Sequence, residues 1–220
     1  MEWDLVRDSI GPITTYALLG TIPLSLISFA LGMVIAVVVA LMRLSKVRVV
    51  SAIGRAYVSA IRGTPLLVQL FIIFYGLPNV GVRIDPWPSA IAAFSLNVGG
   101  YAAEIVRAAI LSVPKGQWEA AHMIGMSDRL ALRRIILPQA ARVSVPPLSN
   151  TFISLVKDSS LASFVLVTEL FRKSQEIAAT SNEFLLLYTE AAIVYWVLCL
   201  FLSAGQSRLE RRLDRYVAHR

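Results

Sequence analysis

Residues 115–138, KGQWEAAHMIGMSDRLALRRIILP, form the longest polar, charge-bearing segment between two long apolar runs. The segment reads as a helix, a turn and a second helix. Glu119 is expected in the first turn, where a negative charge suits the helix dipole. Gly125 stops the first helix, because glycine enters the left-handed C-cap conformation freely. Ser127 or Asp128 caps the second helix, and Pro138 is expected to end it. Ala120 and Ala121 offer a bare stretch of backbone against which another protein can lie closely. By shape alone this is a surface helical hairpin, and its surroundings give it a setting.

Outward from the hairpin the chain is apolar. Of its 220 residues 56% are hydrophobic and only 16% are charged, with a mean hydropathy of +0.66. That balance excludes a single soluble domain and fits a polytopic membrane protein. The net charge of +7 is no sign of nucleic-acid binding, since the basic residues gather in short loops beside apolar runs. The one cysteine, Cys199, lies within an apolar run, so no intrachain disulfide is expected. The start, Met1-Glu2-Trp3-Asp4, is acidic, and the first apolar run exceeds the roughly 7–15 residues of a signal-peptide core. A cleavable signal is therefore not expected. No glycine-rich phosphate loop with its lysine is present, so the energy source is expected on another chain. His122 and His219 are isolated and suggest no metal. No nucleophile–base arrangement surrounds Ser159 or Ser160.

Crossing the hydrocarbon takes about 20 apolar residues, since a helix rises about 1.5 Å per residue through about 30 Å. Five runs qualify: residues 13–42, 57–77, 89–111, 140–167 and 184–204. Orientation follows from charge. Arg43, Lys46, Arg48 and Arg55 lie together. Lys115, Arg129, Arg133, Arg134 and Arg142 outweigh Glu119 and Asp128. The tail sets Arg208, Arg211, Arg212, Arg215 and Arg220 against Glu210 and Asp214. On the alternate side Glu2, Asp4 and Asp8 outweigh Arg7, and Arg83 balances Asp85. There Glu169, Glu176 and Glu183 exceed Arg172 and Lys173. Every basic loop falls on one side, which puts the amino terminus outside and both the carboxyl terminus and residues 115–138 in the cytoplasm. Residues 78–88, with Gly81, Pro86 and Pro88, form a rigid outward turn. Residues 168–183 form a short amphipathic outer helix.

Within the fourth span Asn150, Thr151, Ser154, Lys157 and Asp158 recur at three- and four-residue steps as one polar stripe. Ionisable groups at membrane depth are costly and tend to line a water-filled path or a binding site. From the cytoplasmic end, Lys157 lies about 25 Å up the span, while Asn97 in the third span lies about 12 Å below the outer surface. Gln69 in the second span is also past the midpoint. Polar groups from three helices at one level favour a site over separate interhelical hydrogen bonds or a structural Lys157–Asp158 pair. Glu104 and Arg107 have the spacing of an internal ion pair. Arg62-Gly63-Thr64-Pro65 gives a kink and a snorkelling arginine.

The spacing Glu119-Ala120-Ala121, three residues, Gly125, nine residues, Ile135, one residue, Leu137-Pro138 resembles the cytoplasmic coupling loop of ATP-binding-cassette (ABC) importer permeases. RGTPLL at 62–67, YAAE at 101–104, LPQA at 137–140 and SLVKDSSL at 154–161 resemble the polar-amino-acid branch of that family. The resemblance implies an all-α membrane protein with five transmembrane helices per subunit and the type I (MetI-like) importer permease fold. It implies residence in the bacterial cytoplasmic (inner) membrane. It implies a second permease subunit, either a copy of this chain or a related one, above two ATPase subunits that carry ATP and Mg. It further implies an extracytoplasmic amino-acid-binding protein, and no cofactor on this chain. Glu119, Ala120, Ala121, Gly125, Leu137 and Pro138 are the implied ATPase-coupling residues. Asn97, Lys157 and Asp158 are the positions carried over to substrate binding, and Gln69, Thr151 and Ser154 join them from the polar stripe. QWEAA at 117–121 and PPLSN at 146–150 are similar to bacterial cystine permeases. Lys157 and Asp158 complement the two charges of an amino acid, and no surplus acid is left for a cationic side chain. The near two-fold symmetry of L-cystine would match a homodimer. Glutamine, arginine and histidine are the alternative substrates. A secondary carrier would show a repeat and an ion-coupling site, and a scaffold would not need the stripe.

Overall fold

The computed structural model describes residues 2–214; Met1 and residues 215–220, including Arg215, His219 and Arg220, lie outside the described part. Helices α1 (Glu2–Tyr16) and α2 (Ile22–Leu44) are joined by a π-helical turn, Ala17–Thr21, into one rod. Helix α3 (Arg48–Gly63) is followed by α4 (Leu66–Phe71), whose path continues through two short turns to Val80. Helix α5 spans Pro86–Ser112, α6 Lys115–Met123 and α7 Asp128–Ala131. Helix α8 (Leu137–Asp158) runs into a 3-10 segment, Ser159–Val165, before α9 (Leu170–Ser181) and α10 (Phe184–Asp214). No strand occurs among the described residues.

Three helices are long and apolar enough to cross a membrane unbroken: Trp3–Leu44, Pro86–Ser112 and Phe184–Arg212. Two bent pairs of helices reach the same length and apolarity only when each pair is taken together, which gives up to five spans: Arg48–Gly63 with Leu66–Val80 at 105°, and Asp128–Val165 with Leu170–Ser181 at 49°. The sharper bend falls on Thr64 and Pro65, where the sequence suggested only a kink. Thr64 is extended, with φ −123° and ψ 144°. The proline ring excludes the helical region for the residue before it and supplies no N–H, so one helix ends and another starts.

Helix α5 is the central post, packed by α2, α3, α4 and α8. Glycines let the backbones approach. A Cβ on Gly32 would lie 2.7 Å from Val98, one on Gly99 2.6 Å from Ile35, and one on Gly100 2.5 Å from Ile61. Without a hydrophobic drive between helices in lipid, such close packing is a main source of adhesion. The principal core gathers Leu24, Val58, Leu70, Phe94, Val98 and Leu155 around this post. A second cluster, Ile13, Leu170 and Leu187, ties α1 to α9 and α10. Glu169, counted above as an outer-loop charge, is fully buried beside that cluster. Its carboxylate accepts from Thr21 at 3.2 Å, from the Tyr195 hydroxyl at 2.7 Å and from the Arg172 N–H at 2.8 Å. It therefore caps α9 and joins three segments far apart in sequence.

Two expectations for the hairpin are corrected. Helix α6 starts at Lys115 after Pro114, so Glu119 lies beyond the first turn. Pro138 does not end the following helix. The helical path runs from Asp128 through a π-turn, Leu132–Ile136, into α8. In that wider turn the Leu137 N–H reaches back to Leu132 O. The π-turn loosens the segment preceding Pro138, where a regular helix would meet the ring and lack a donor.

Candidate functional site

The corner at Thr64 and Pro65 leaves the last carbonyls of α3 without helical partners. Gln69, at the start of α4, satisfies them: its Nε2 donates to Ile61 O at 2.8 Å and to Thr64 O at 3.1 Å. Its Oε1 then accepts from Asn97 Nδ2 on α5 at 3.1 Å. Gln69 is thus a strut that holds the corner and orients Asn97.

Beside this strut opens a cavity of about 410 Å³, walled by three elements. The corner contributes Thr64, Pro65 and Leu66. Helix α5 contributes Asn97, Val98 and Tyr101, and α8 contributes Asn150, Thr151, Ser154, Leu155 and Asp158. Three- and four-residue steps put the α8 groups on one face, and the same step pairs Asn97 with Tyr101. Tyr101 also lies under the Arg62 guanidinium, 5.4 Å from the ring centre. Asn150 Oδ1 accepts from Gln206 on α10 at 3.0 Å.

Lys157 is not in this cavity. It borders a trough of about 590 Å³ with Ser160, Phe171, Tyr188, Tyr195, Trp196 and Cys199. Adjacent residues on a helix point about 100° apart, so Lys157 and Asp158 face different neighbours around α8. The stripe expected to hold both charges is therefore divided. The cavity itself offers one carboxylate, two amides and several hydroxyls. A carboxylate complements an ammonium group, while amide N–H and hydroxyl donors complement a carboxylate. Thr64 and Tyr101 were missed as wall residues, although Tyr101 follows Asn97 by one helical turn and Thr64 sits in the proline break.

At the other end of α5 the hairpin is packed from within. Trp118, Leu132, Ile135 and Leu137 lie half-buried against Val106, Ala109, Ile110, Val113, Ile136 and Ala140. Leu137 thus braces the hairpin against α5. Gly125 has φ 78°. Its N–H bonds His122 O at 2.9 Å, and the Met126 N–H bonds Ala121 O at 3.0 Å, the paired bonds of a left-handed C-cap. Glu119, Ala120 and Pro138 are exposed, whereas Ala121 is buried within the chain. Of the two alanines expected on a bare outer face, only Ala120 is there. His122 Nε2 lies 2.9 Å from Asp128 Oδ1, and Lys46 lies 3.8 Å from the same carboxylate. Glu104 pairs with Arg107 as its spacing indicated, and also with Arg43, which the charge count had assigned to a loop.

Residues 29–215 match the family described as the binding-protein-dependent transport system inner membrane component. The chain belongs to this family. The permease is 61% identical to the L-cystine transport system permease protein TcyB of Bacillus subtilis, over 99% of this chain and 94% of that one. Among solved structures it superposes on an amino acid ABC transporter with histidines at a TM-score of 0.86 and 34% identity, over 92% of this chain and 94% of that one. It also superposes on the MetNI methionine ABC transporter in an inward-facing conformation, at a TM-score of 0.72 and 20% identity, over 95% and 96% of the two chains. The fold is that of a type I ABC importer permease. The permease is a non-catalytic, multi-pass inner-membrane component of a binding-protein-dependent transport system.

Proposed function

We propose that this permease forms the translocation path of an ATP-driven importer of L-cystine. The observation that carries the substrate is the 61% identity to an L-cystine permease along nearly the whole of both chains. The chemistry of the cavity agrees with it. Asp158 receives the ligand's ammonium, while Asn97 and Ser154, with Gln69 holding Asn97, present donors to its carboxylate; Thr151, whose hydroxyl donates to Pro147 O at 2.9 Å, lines the cavity with an acceptor oxygen. Lys157 stands outside that cavity and is left out of the direct contacts. A homodimer would offer two such half-sites across a two-fold axis, one for each amino-acid end of cystine. Two ATPase subunits carrying ATP and Mg lie on the cytoplasmic side and an extracytoplasmic binding protein on the other. The amino terminus is outside, the carboxyl terminus is in the cytoplasm, and residues 115–138 are the coupling loop between permease and ATPase.

The test is uptake of labelled cystine by the full complex in proteoliposomes. Wild type imports cystine in an ATP-dependent manner, and Asp158→Asn abolishes import while the complex still assembles. Import of arginine or glutamine in strong preference to cystine would overturn the substrate assignment.

A further inference from the structure

Ser45, Lys46 and Val47 join α2 to α3 in an elbow where the apolar rod Trp3–Leu44 ends. The end of a membrane-crossing rod lies at the bilayer boundary, so the first turn of α3 meets lipid headgroups whichever side that boundary faces. The charge on this turn is the reverse of what a helix start favours. The N–H groups there have no helical partner and form a partial positive pole that suits an acid. In α3 no acid lies in the first turn, no side chain of Val47 caps it, and Arg48 adds a further positive charge. Arg55 adds another. Its Nη1 reaches back one turn to Ser51 Oγ at 2.7 Å, and Ser51 Oγ donates to Arg43 O at 3.2 Å, so the guanidinium is held beside the elbow. The carboxylates nearby are already engaged. Glu104 pairs with Arg43 and Arg107, and Asp128 lies against Lys46 and His122. Among the described residues no carboxylate pairs with Arg48 or Arg55, and the Arg43 guanidinium is itself repelled by those of Arg107, Arg55 and Arg62. Beside this surplus of positive charge stand three apolar side chains, Val47, Val49 and Ile53, exposed by 58%, 68% and 56%. Val49 and Ile53, four residues apart, share one face of α3.

We infer that this elbow binds an acidic phospholipid of the surrounding membrane. Arg48, Arg55 and the free N–H groups of the first turn of α3 hold its phosphate, and its acyl chains lie on Val49 and Ile53. A free phosphate or nucleotide would satisfy the cations and leave those apolar side chains in water. An acidic phospholipid satisfies both, because its head is an anion and its tails are apolar. The bound lipid also has a route to the cavity. Arg55 is tied through Ser51 to Arg43, and Arg43 pairs with Glu104 on α5, the helix that presents Asn97 and Tyr101. Neutralising Arg55 therefore steadies the junction of α2, α3 and α5.

Lipid binding would be measured by native mass spectrometry on the full-length permease, purified with its ATPase, stripped of lipid and titrated with phosphatidylglycerol or phosphatidylcholine. Wild type should retain phosphatidylglycerol in clear preference. Arg48→Gln and Arg55→Gln should each weaken that binding about fivefold, and together about 25-fold, the value of one and two cations beside an anionic headgroup. Phosphatidylcholine binding should not change in either variant, whereas Ile53→Ser should weaken both lipids. A second measurement needs no change to the arginines. In a Cys199→Ser background, a dye on Val49→Cys in nanodiscs should be quenched more by brominated phosphatidylglycerol than by the same fraction of brominated phosphatidylcholine. Equal binding of the two lipids by wild type, or equal quenching by them, would overturn the site. Quenching by neither lipid would overturn it as well, by showing that a second permease subunit covers this face of α3. Displacement of phosphatidylglycerol by inorganic phosphate at constant ionic strength would assign the cations to a free anion instead and remove the lipid.

Discussion

Gly100→Ala adds one methyl group where α5 lies close against α3. The new Cβ would lie 2.5 Å from Ile61 Cγ2 and 2.9 Å from Ile61 Cβ, where ordinary contact begins at 3.4 Å. Helices α3 and α5 must therefore part by nearly an ångström or Ile61 must leave its rotamer. Overpacking of this kind costs about 1–3 kcal/mol, about five- to 150-fold in an equilibrium constant. The displacement also has a functional route. Ile61 O is an acceptor of Gln69, and Gln69 orients Asn97. Moving Ile61 therefore disturbs the cavity wall. Ile61→Ala removes the clashing Cγ2 but keeps the Cβ at 2.9 Å, so it should relieve Gly100→Ala in part. The assay is a double-mutant cycle, read by tryptophan fluorescence during SDS titration in mixed micelles and by cystine uptake in proteoliposomes. We expect a coupling energy of about 0.5–3 kcal/mol, with uptake low in Gly100→Ala and partly recovered in the double variant. Strict additivity, with full uptake in Gly100→Ala, would refute the close α3–α5 crossing and its link to the cavity.

Gly125→Val forces a β-branched residue into φ 78°, at about 1–2 kcal/mol or more; transport and ATPase stimulation should fall while membrane insertion persists, and normal coupled hydrolysis would count against the cap. Glu169→Ala removes the acceptor for Thr21, Tyr195 and the Arg172 N–H. Each buried donor left unmet costs about 1–3 kcal/mol, so SDS resistance should drop sharply, and Glu169→Gln should be milder because an acceptor oxygen remains. Cysteines placed at Gly81 and Gly116 in a Cys199→Ser background should label from opposite sides of the membrane. Labelling of both by an impermeant reagent from outside would refute the proposed topology.

The sequence by itself determined a membrane protein with a charged helical hairpin set between apolar runs. Those properties are local: hydrophobic run length, turn residues such as Gly125, and the spacing of the hairpin motif. The spacing of Asn150, Thr151, Ser154 and Asp158 is also local, since a helix places every third or fourth residue on one face. Tertiary structure alone decided which neighbour each face met. Lys157 and Asp158 adjoin in sequence, yet packing of α10 on one side of α8 and α5 on the other sent them to different cavities. Pro65 made a 105° corner and Pro138 made none, because each outcome depends on whether the backbone can find another partner for its freed groups. At Thr64 that partner is Gln69, five residues on, and before Pro138 it is a π-turn. Glu169 read as a surface charge until Thr21 and Tyr195, 148 and 26 residues away, closed over it. Burial of a charge is a property of the assembled neighbours, and no local pattern encodes it.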